Sequence, residues 1–274
     1  MLGNFVFDID GTLAIGADYK AEQVEKEVKE LFGDAFFEKY CLTACKHPHH
    51  IFPGYYALFS WLHSKGGKIL FFSAGIEERN VELAEKMMKM ALGEDLSGVS
   101  YQVFSRQHCI DTHGWGMSEE EKESYQSYHY GQRKKKLAGI VVPEAALSNT
   151  LLIEDDVSYM VKGEEYNFIS LRYCYEYLHD EKRDAFTIFH RAYYLAGLFA
   201  TMFEAQAEKG ITLVEAAKFV QIDLEGAELS RSFYYPSNKK LDYYLKGQKI
   251  LSEIDPTLQF FYPIPENKED IEGD

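Results

Sequence analysis

Asp8 and Asp10 stand two residues apart at the end of an apolar run, Phe5-Val6-Phe7, and Gly11-Thr12-Leu13 follows them. A strand that carries two carboxylates at that spacing into a glycine turn can aim both at one point beyond the sheet edge. One carboxylate can attack phosphorus to give an acyl phosphate, while the second protonates the leaving oxygen and later activates water. In that chemistry Asp8 is the nucleophile and Asp10 the acid and base. A carboxylate does not approach a dianionic phosphate unaided, so a cation is required. Mg²⁺ suits it, because it takes oxygen ligands from acids, a backbone carbonyl and water. Asp155 and Asp156 close another apolar run, Leu151-Leu152-Ile153, and can supply the missing ligand alongside Asp8 and Asp10. Ser73, at the end of Lys68 to Phe72, and one lysine of Lys134 to Lys136 can hold phosphoryl oxygens as charge moves in the transition state.

Each of these residues has a plainer reading alone. Asp8 and Asp10 could form a solvated turn, Ser73 could cap the helix that starts at Glu77, and the run Arg133 to Lys136 could be a solvated helix face. Their order along alternating elements favours the chemical reading. Strands are expected at Asn4 to Asp8, Lys68 to Phe72, Val99 to Phe104, Leu151 to Ile153 and Asn167 to Leu171. Helices are expected at Ala21 to Phe37, Tyr55 to Ser64, Glu77 to Leu92 and from Arg133 onward, with a loop at His47 to Gly54. Such alternation implies an α/β fold, a Rossmann-like parallel sheet with helices on both faces, whose ligands gather at the carboxyl ends of the strands. After about Asp180 only helices are expected, around Ala185 to Glu208, Thr212 to Val220 and Leu241 to Ile254. The expected division is a catalytic domain over 1–179, with small insertions at 14–50 and 108–132, and a C-terminal helical region over 180–274.

From Asn4 to about Leu171 the chain resembles the haloacid dehalogenase superfamily. Phe7 to Leu13 is similar to its first motif, Phe71-Phe72-Ser73-Ala74-Gly75 to the second, Lys134 to Lys136 to the third, and Leu151 to Asp156 to the fourth. The second acid at Asp10 resembles the phosphatases and phosphomutases of that superfamily. A closer resemblance is to the small C-terminal-domain phosphatases and the NLI-interacting-factor-like group. Pro53-Gly54, Phe104-Ser105-Arg106-Gln107-His108-Cys109 and Asp155-Asp156 carry it. The resemblance implies a minimal cap, Mg²⁺ held by Asp8, Asp10, Asp155 and Asp156, and phosphate bound by Ser73, Ala74, Lys135 and Lys136. It implies a protein phosphatase. Gly11 in place of glutamate, Ser73 in place of threonine and the C-terminal helices depart from that group.

Modest insertions leave an open site, which suits a phosphorylated side chain on a protein. Trp115, Tyr125, Tyr128, His129 and Tyr130 could flank it, which favours phosphotyrosine over phosphoserine and phosphothreonine. A small-metabolite phosphatase and a non-catalytic docking protein that uses its C-terminal helices for a partner or a membrane are the alternatives. The net charge of −15 disfavours nucleic acid and anionic bilayers at long range. Cys41, Cys45, Cys109 and Cys174 lack CxxC spacing, and Met1 leads into a strand without a signal-peptide pattern, so a cytoplasmic protein is expected. Delivery into a host cell as a bacterial effector is compatible with that pattern. His47, His49 and His50 have no cysteine or carboxylate spacing beside them that suits zinc, and are expected at the rim of the site.

Overall fold

The computed structural model describes residues 3–16, 26, 29–30, 33–111, 133–171, 191–222 and 238–258. Its strands are β1 (Asn4–Phe7), β2 (Ala14–Gly16), β3 (Cys41–Ala44), β4 (His47–Ile51), β5 (Lys68–Phe72), β6 (Gln102–Phe104), β7 (Ile110–Asp111), β8 (Arg133–Lys134), β9 (Thr150–Glu154) and β10 (Phe168–Ser170). Its α-helices are α1 (Asp34–Tyr40), α2 (Tyr55–Ser64), α3 (Glu77–Leu92), α4 (Arg191–Lys209), α5 (Leu213–Ile222) and α6 (Asn238–Ile254).

The runs in β1, β5 and β9 are continuously apolar, the pattern of strands buried on both faces. They pair in parallel at the centre of a five-stranded sheet ordered β10-β9-β1-β5-β6. Phe7 lies opposite Phe71 on one side and Ile153 on the other. The residues that follow, Asp8, Phe72-Ser73 and Glu154-Asp155, therefore leave the sheet together at its carboxyl edge. The chain steps outward from β1 to β5 and β6 on one side, then to β9 and β10 on the other. That makes β1 the switch point, where parallel sheets open a crevice. The sheet is the Rossmann-like α/β arrangement expected of the sequence.

The period of two sends Phe5 and Phe7 to one face and Val6 to the other. Phe7 meets Phe59 of α2 at 5.1 Å between ring centroids, and Phe5 meets Phe199 of α4 at 4.9 Å. On the opposite face Val6, Leu70, Phe72 and Leu152 pack with Leu137, Val141 and Val142, and Ala146 and Leu147 of the 3₁₀ helix Glu144–Asn149 close the cluster. The core of the first face continues unbroken from β1 and α2 through α4 and α5 to Leu251 and Leu258. Residues on both sides of position 180 thus share one core. The helix α4 is apolar on nearly every side because the sheet covers one flank and α6 another. There the backbones touch: a Cβ on Gly197 would lie 1.9 Å from the Tyr243 carbonyl oxygen, and one on Gly247 1.7 Å from that of Tyr193.

Among the described residues the cap is small. Between β1 and α2, strands β2, β4 and β3 form a three-stranded antiparallel sheet, and Tyr40 of α1 stacks on Tyr56 at 5.2 Å. His47 to Ile51, expected as a loop, is instead the middle strand of this sheet, paired on both edges. Pro48 is tolerated because it lies opposite Thr43 near the strand's start. Of the helix expected at Ala21 to Phe37, Val24, Val28, Leu31 and Phe32 lie outside the described residues. The helix expected to open at Arg133 is also corrected, since Arg133–Lys134 pairs antiparallel with Ile110–Asp111. Buried Glu164 then anchors the chain by accepting the N–H groups of Leu137 (2.8 Å) and Ala138 (3.0 Å). Among the described residues no helix is long and apolar enough to cross a membrane.

Candidate active site

Asp8 begins where β1 ends. Its N–H donates to the Ile153 carbonyl at 2.9 Å, so its backbone is still held as strand while the next residues turn. Gly11 makes that turn with φ +80°, and its N–H donates to Ala14 O at 2.8 Å. A Cβ on Gly11 would lie 2.3 Å from Asp155 Oδ2, so glycine here also allows the carboxylate of β9's end to approach the loop. Buried Thr12 donates its hydroxyl to Asp155 Oδ1 at 3.0 Å and so fixes that carboxylate against the first motif.

Lys135 lies at the bottom of the site. Its extended chain, held by a 3.0 Å bond from its N–H to Tyr159 O, drives the ammonium inward. Nζ donates to Asp8 Oδ1 at 2.5 Å and to Glu154 Oε2, and the Tyr159 ring lies 4.3 Å away. Asp8, Glu154 and Asp155 are all buried and offer oxygens within 4.8 Å of one another. Burial disfavours their charged forms, and mutual repulsion adds to it. The Asp8 carboxyl is pushed up to about 6, chiefly by burial and against the pull of Lys135. Asp155 is pushed up to about 8 by burial and by the Asp8 charge, and Glu154 rises well above the usual carboxylate range for the same reasons. Lys135 moves further up because the two acids outweigh the cost of burying it.

Asp155 Oδ2 is buried and has no hydrogen-bond partner among the described residues. An orphaned carboxylate oxygen in a nest of acids fits a hard divalent cation, which takes oxygen donors at short range. The donors present are Asp8, Glu154 and Asp155. Asp10 and Asp156 are outside that group. Asp156 accepts the Ser158 N–H at 2.8 Å, the contact of a residue that opens a 3₁₀ turn at Val157–Tyr159. Asp10 faces the cleft on the β5 side, where Ser73 Oγ donates to its Oδ2 at 3.0 Å. Ser73 also accepts the Gly75 N–H at 3.2 Å, and Arg106 braces this loop from behind by donating Nε to Ala74 O at 2.9 Å. Lys136 is half-buried one position beyond Lys135, while Lys134 donates to Ser158 O; burial moves its ammonium down to about 8. Trp115, Tyr125, Tyr128, His129 and Tyr130 lie outside the described residues.

Three residues here had no role in the sequence reading. Glu154 has a readable signal, since an acid that directly follows the apolar run Leu151-Leu152-Ile153 of a buried strand needs a partner. Arg79, in the first turn of α3, donates Nη1 to Asp10 Oδ1 at 2.7 Å and Nη2 to Asp10 Oδ2 at 2.5 Å. A cation in a helix's first turn runs against the helix dipole, which hints at an acidic partner. Arg191, at the start of α4, is almost fully buried, lies 5.1 Å from the Phe52 ring centroid and donates Nη1 to the Gly11 carbonyl. Its charge also favours the ionised form of Asp155. An arginine inside an otherwise apolar helix carries the same kind of signal.

No family model matches the sequence, and no curated protein does. Among solved structures the chain is similar to "The Structure of Fcp1, an essential RNA polymerase II CTD phosphatase", with 13% identity and a TM-score of 0.35 over 93% of this chain. The alignment spans 62% of that structure's chain. The fold described above rests on strand order and register, and the site on the side chains at the carboxyl edge.

Proposed function

We propose that the chain is a Mg²⁺-dependent phosphatase of haloacid dehalogenase type that hydrolyses phosphate monoesters through an aspartyl-phosphate on Asp8. The observation that supports this most is the Asp8 carboxylate at the switch point, held through Oδ1 by Lys135 beside the orphaned oxygen of Asp155. Lys135 fixes one oxygen of Asp8, which leaves the other to face the cleft as nucleophile. Attack forms the bond from Asp8 oxygen to phosphorus, and the ester oxygen departs with a proton from Asp10. Asp10 then takes a proton from water as that water attacks the aspartyl-phosphate, and Asp8 is restored with release of phosphate. Ser73 and the loop amides at Ala74 and Gly75 border the space beside Asp10 where phosphoryl oxygens are held. Asp8, Asp155 and Glu154 would hold the cation, which would supply charge neutralisation for the phosphoryl group.

The proposed substrate is a phosphorylated protein side chain, with phosphotyrosine ahead of phosphoserine and phosphothreonine on the strength of the aromatic residues between 115 and 130 of the sequence. Among the described residues the cap is one short antiparallel sheet, and the Asp10 side chain keeps 37% of its surface open. That exposure suits a peptide-borne phosphate reaching the acid. Hydrolysis of phosphotyrosine and phosphoserine peptides should be compared with a panel of sugar phosphates and nucleotides, each with Mg²⁺ and with EDTA. The proposal predicts Mg²⁺-dependent kcat/KM at least tenfold higher on the phosphotyrosine peptide than on any metabolite. A metabolite at the head of that ranking would replace the protein-substrate reading.

A further inference from the structure

We propose that Arg79 is a phosphoryl-binding residue, held on Asp10 in the substrate-free protein and transferred to the substrate's phosphoryl oxygens on binding; this rests on the phosphatase reading. The guanidinium presents two parallel N–H groups to the two oxygens of Asp10, at 2.7 and 2.5 Å. The same planar fork matches a phosphoryl group. Its Nη2 also lies 3.4 Å from Ser73 Oγ, so one guanidinium spans the proposed acid and the proposed phosphate hydroxyl.

The fork is braced from behind. Asn80 is fully buried and accepts from Arg79 Nη2 at 2.7 Å and from Nε at 3.2 Å, while its own amide donates to Ser105 Oγ at 3.0 Å. Room for the guanidinium comes from Gly75, where a Cβ would lie 1.9 Å from Arg79 Nη2. A braced arginine loses little freedom when its front edge changes partner. The contrast with Lys135 indicates why a second cation is needed. The Lys135 side chain is 1% exposed and already shared between Asp8 and Glu154, whereas Arg79 is 17% exposed, on the open side. A dianionic group entering a protein of net charge −15 needs a cation at the mouth. The pair with Asp10 is partly solvated, so the phosphoryl group can displace it. The exchange also releases Asp10 to face the leaving oxygen.

The test is a double-mutant cycle over Arg79→Ala and Asp10→Asn on the full chain with Mg²⁺. It reads the Kd of inorganic phosphate by calorimetry and, where Asp10 is intact, KM and kcat for an aryl phosphate. Arg79→Ala is expected to raise Kd and KM at least tenfold. Arg79→Lys should recover part of the loss, and the tenfold loss should persist in the Asp10→Asn background, where no acid remains to be positioned. Should Arg79→Ala weaken phosphate only when Asp10 is present, or lower kcat with Kd and KM within twofold of wild type, Arg79 acts through Asp10 and the proposal fails. Thermal unfolding checks each variant, and Arg79→Gln replaces Arg79→Ala if the latter does not fold. Wild type that neither binds phosphate nor turns over the ester would overturn the phosphatase reading itself, whereas active wild type with an indifferent Arg79 overturns this inference alone.

Discussion

Lys135 answers two buried carboxylates with one charge, so its removal leaves Asp8 and Glu154 without compensation. Lys135→Met should cost about 3–5 kcal/mol of stability at pH 8. At pH 5 the loss should shrink, because the acids can then take up protons; denaturant unfolding at the two pH values checks both. The wild type has its own pH signature. Asp155 titrates near 8 in the folded chain against 3.8 for the free group, so its contribution to stability is fully present below about pH 4 and lost as pH rises through 8. Asp8, raised to about 6, acts in the same direction over the lower part of that window. Lys134, lowered to about 8, acts in the opposite direction above that pH. In EDTA the melting temperature should therefore fall between pH 5 and pH 8. Mg²⁺ should raise it more at pH 8 than at pH 5, because a cation competes with the protons. A Mg²⁺ shift independent of pH would contradict the metal assignment. At this scale the sequence places Asp8, Ser73 and Asp155 directly after apolar strand runs, and the structure brings those strand ends to one edge of the sheet. It does not show that Asp156 faces its own turn or that Arg79 holds Asp10, because side-chain direction after the strand ends depends on loops contributed from far along the chain.

Elements set those directions. The lysine run reads as a helix face from composition, yet Arg133–Lys134 pairs with Ile110–Asp111 and the chain continues extended to the Glu164 anchor. That pairing crosses more than twenty residues of sequence, a partner that local periodicity cannot reveal. The central strands were legible because burial on both faces leaves continuous apolar runs. His47 to Ile51 was not, because its three histidines and proline suppress the strand pattern. The contact of α4 with α6 was also hidden, since it depends on space rather than polarity. Gly247→Val would place side-chain atoms where the Tyr193 carbonyl lies and should cost about 2–3 kcal/mol or more. A melting temperature within a degree of wild type would show that the two helices do not meet backbone to backbone.

Across the whole molecule, the described C-terminal helices form a layer of the same core as the parallel sheet. Phe199 and Phe203 pack on Phe5 of the central strand, and Arg191 reaches the Gly11 loop. We expect a fragment of residues 1–179 to expose the apolar face of the sheet and to lack a cooperative unfolding transition. A soluble fragment with wild-type stability and activity would instead make 180–274 a separable region. The charge of −15 and the partly exposed Arg79 fit a phosphorylated substrate steered by local cations rather than by the mean field.

The nucleophile itself can be read directly. Protein mixed with an aryl phosphate and Mg²⁺, quenched during turnover and reduced with borohydride, should contain homoserine at position 8 in the mass spectrum of its peptides, and Asp8→Asn should show neither that mark nor turnover. Turnover with Asp8 unmodified, or full activity in Asp8→Asn, would contradict the mechanism.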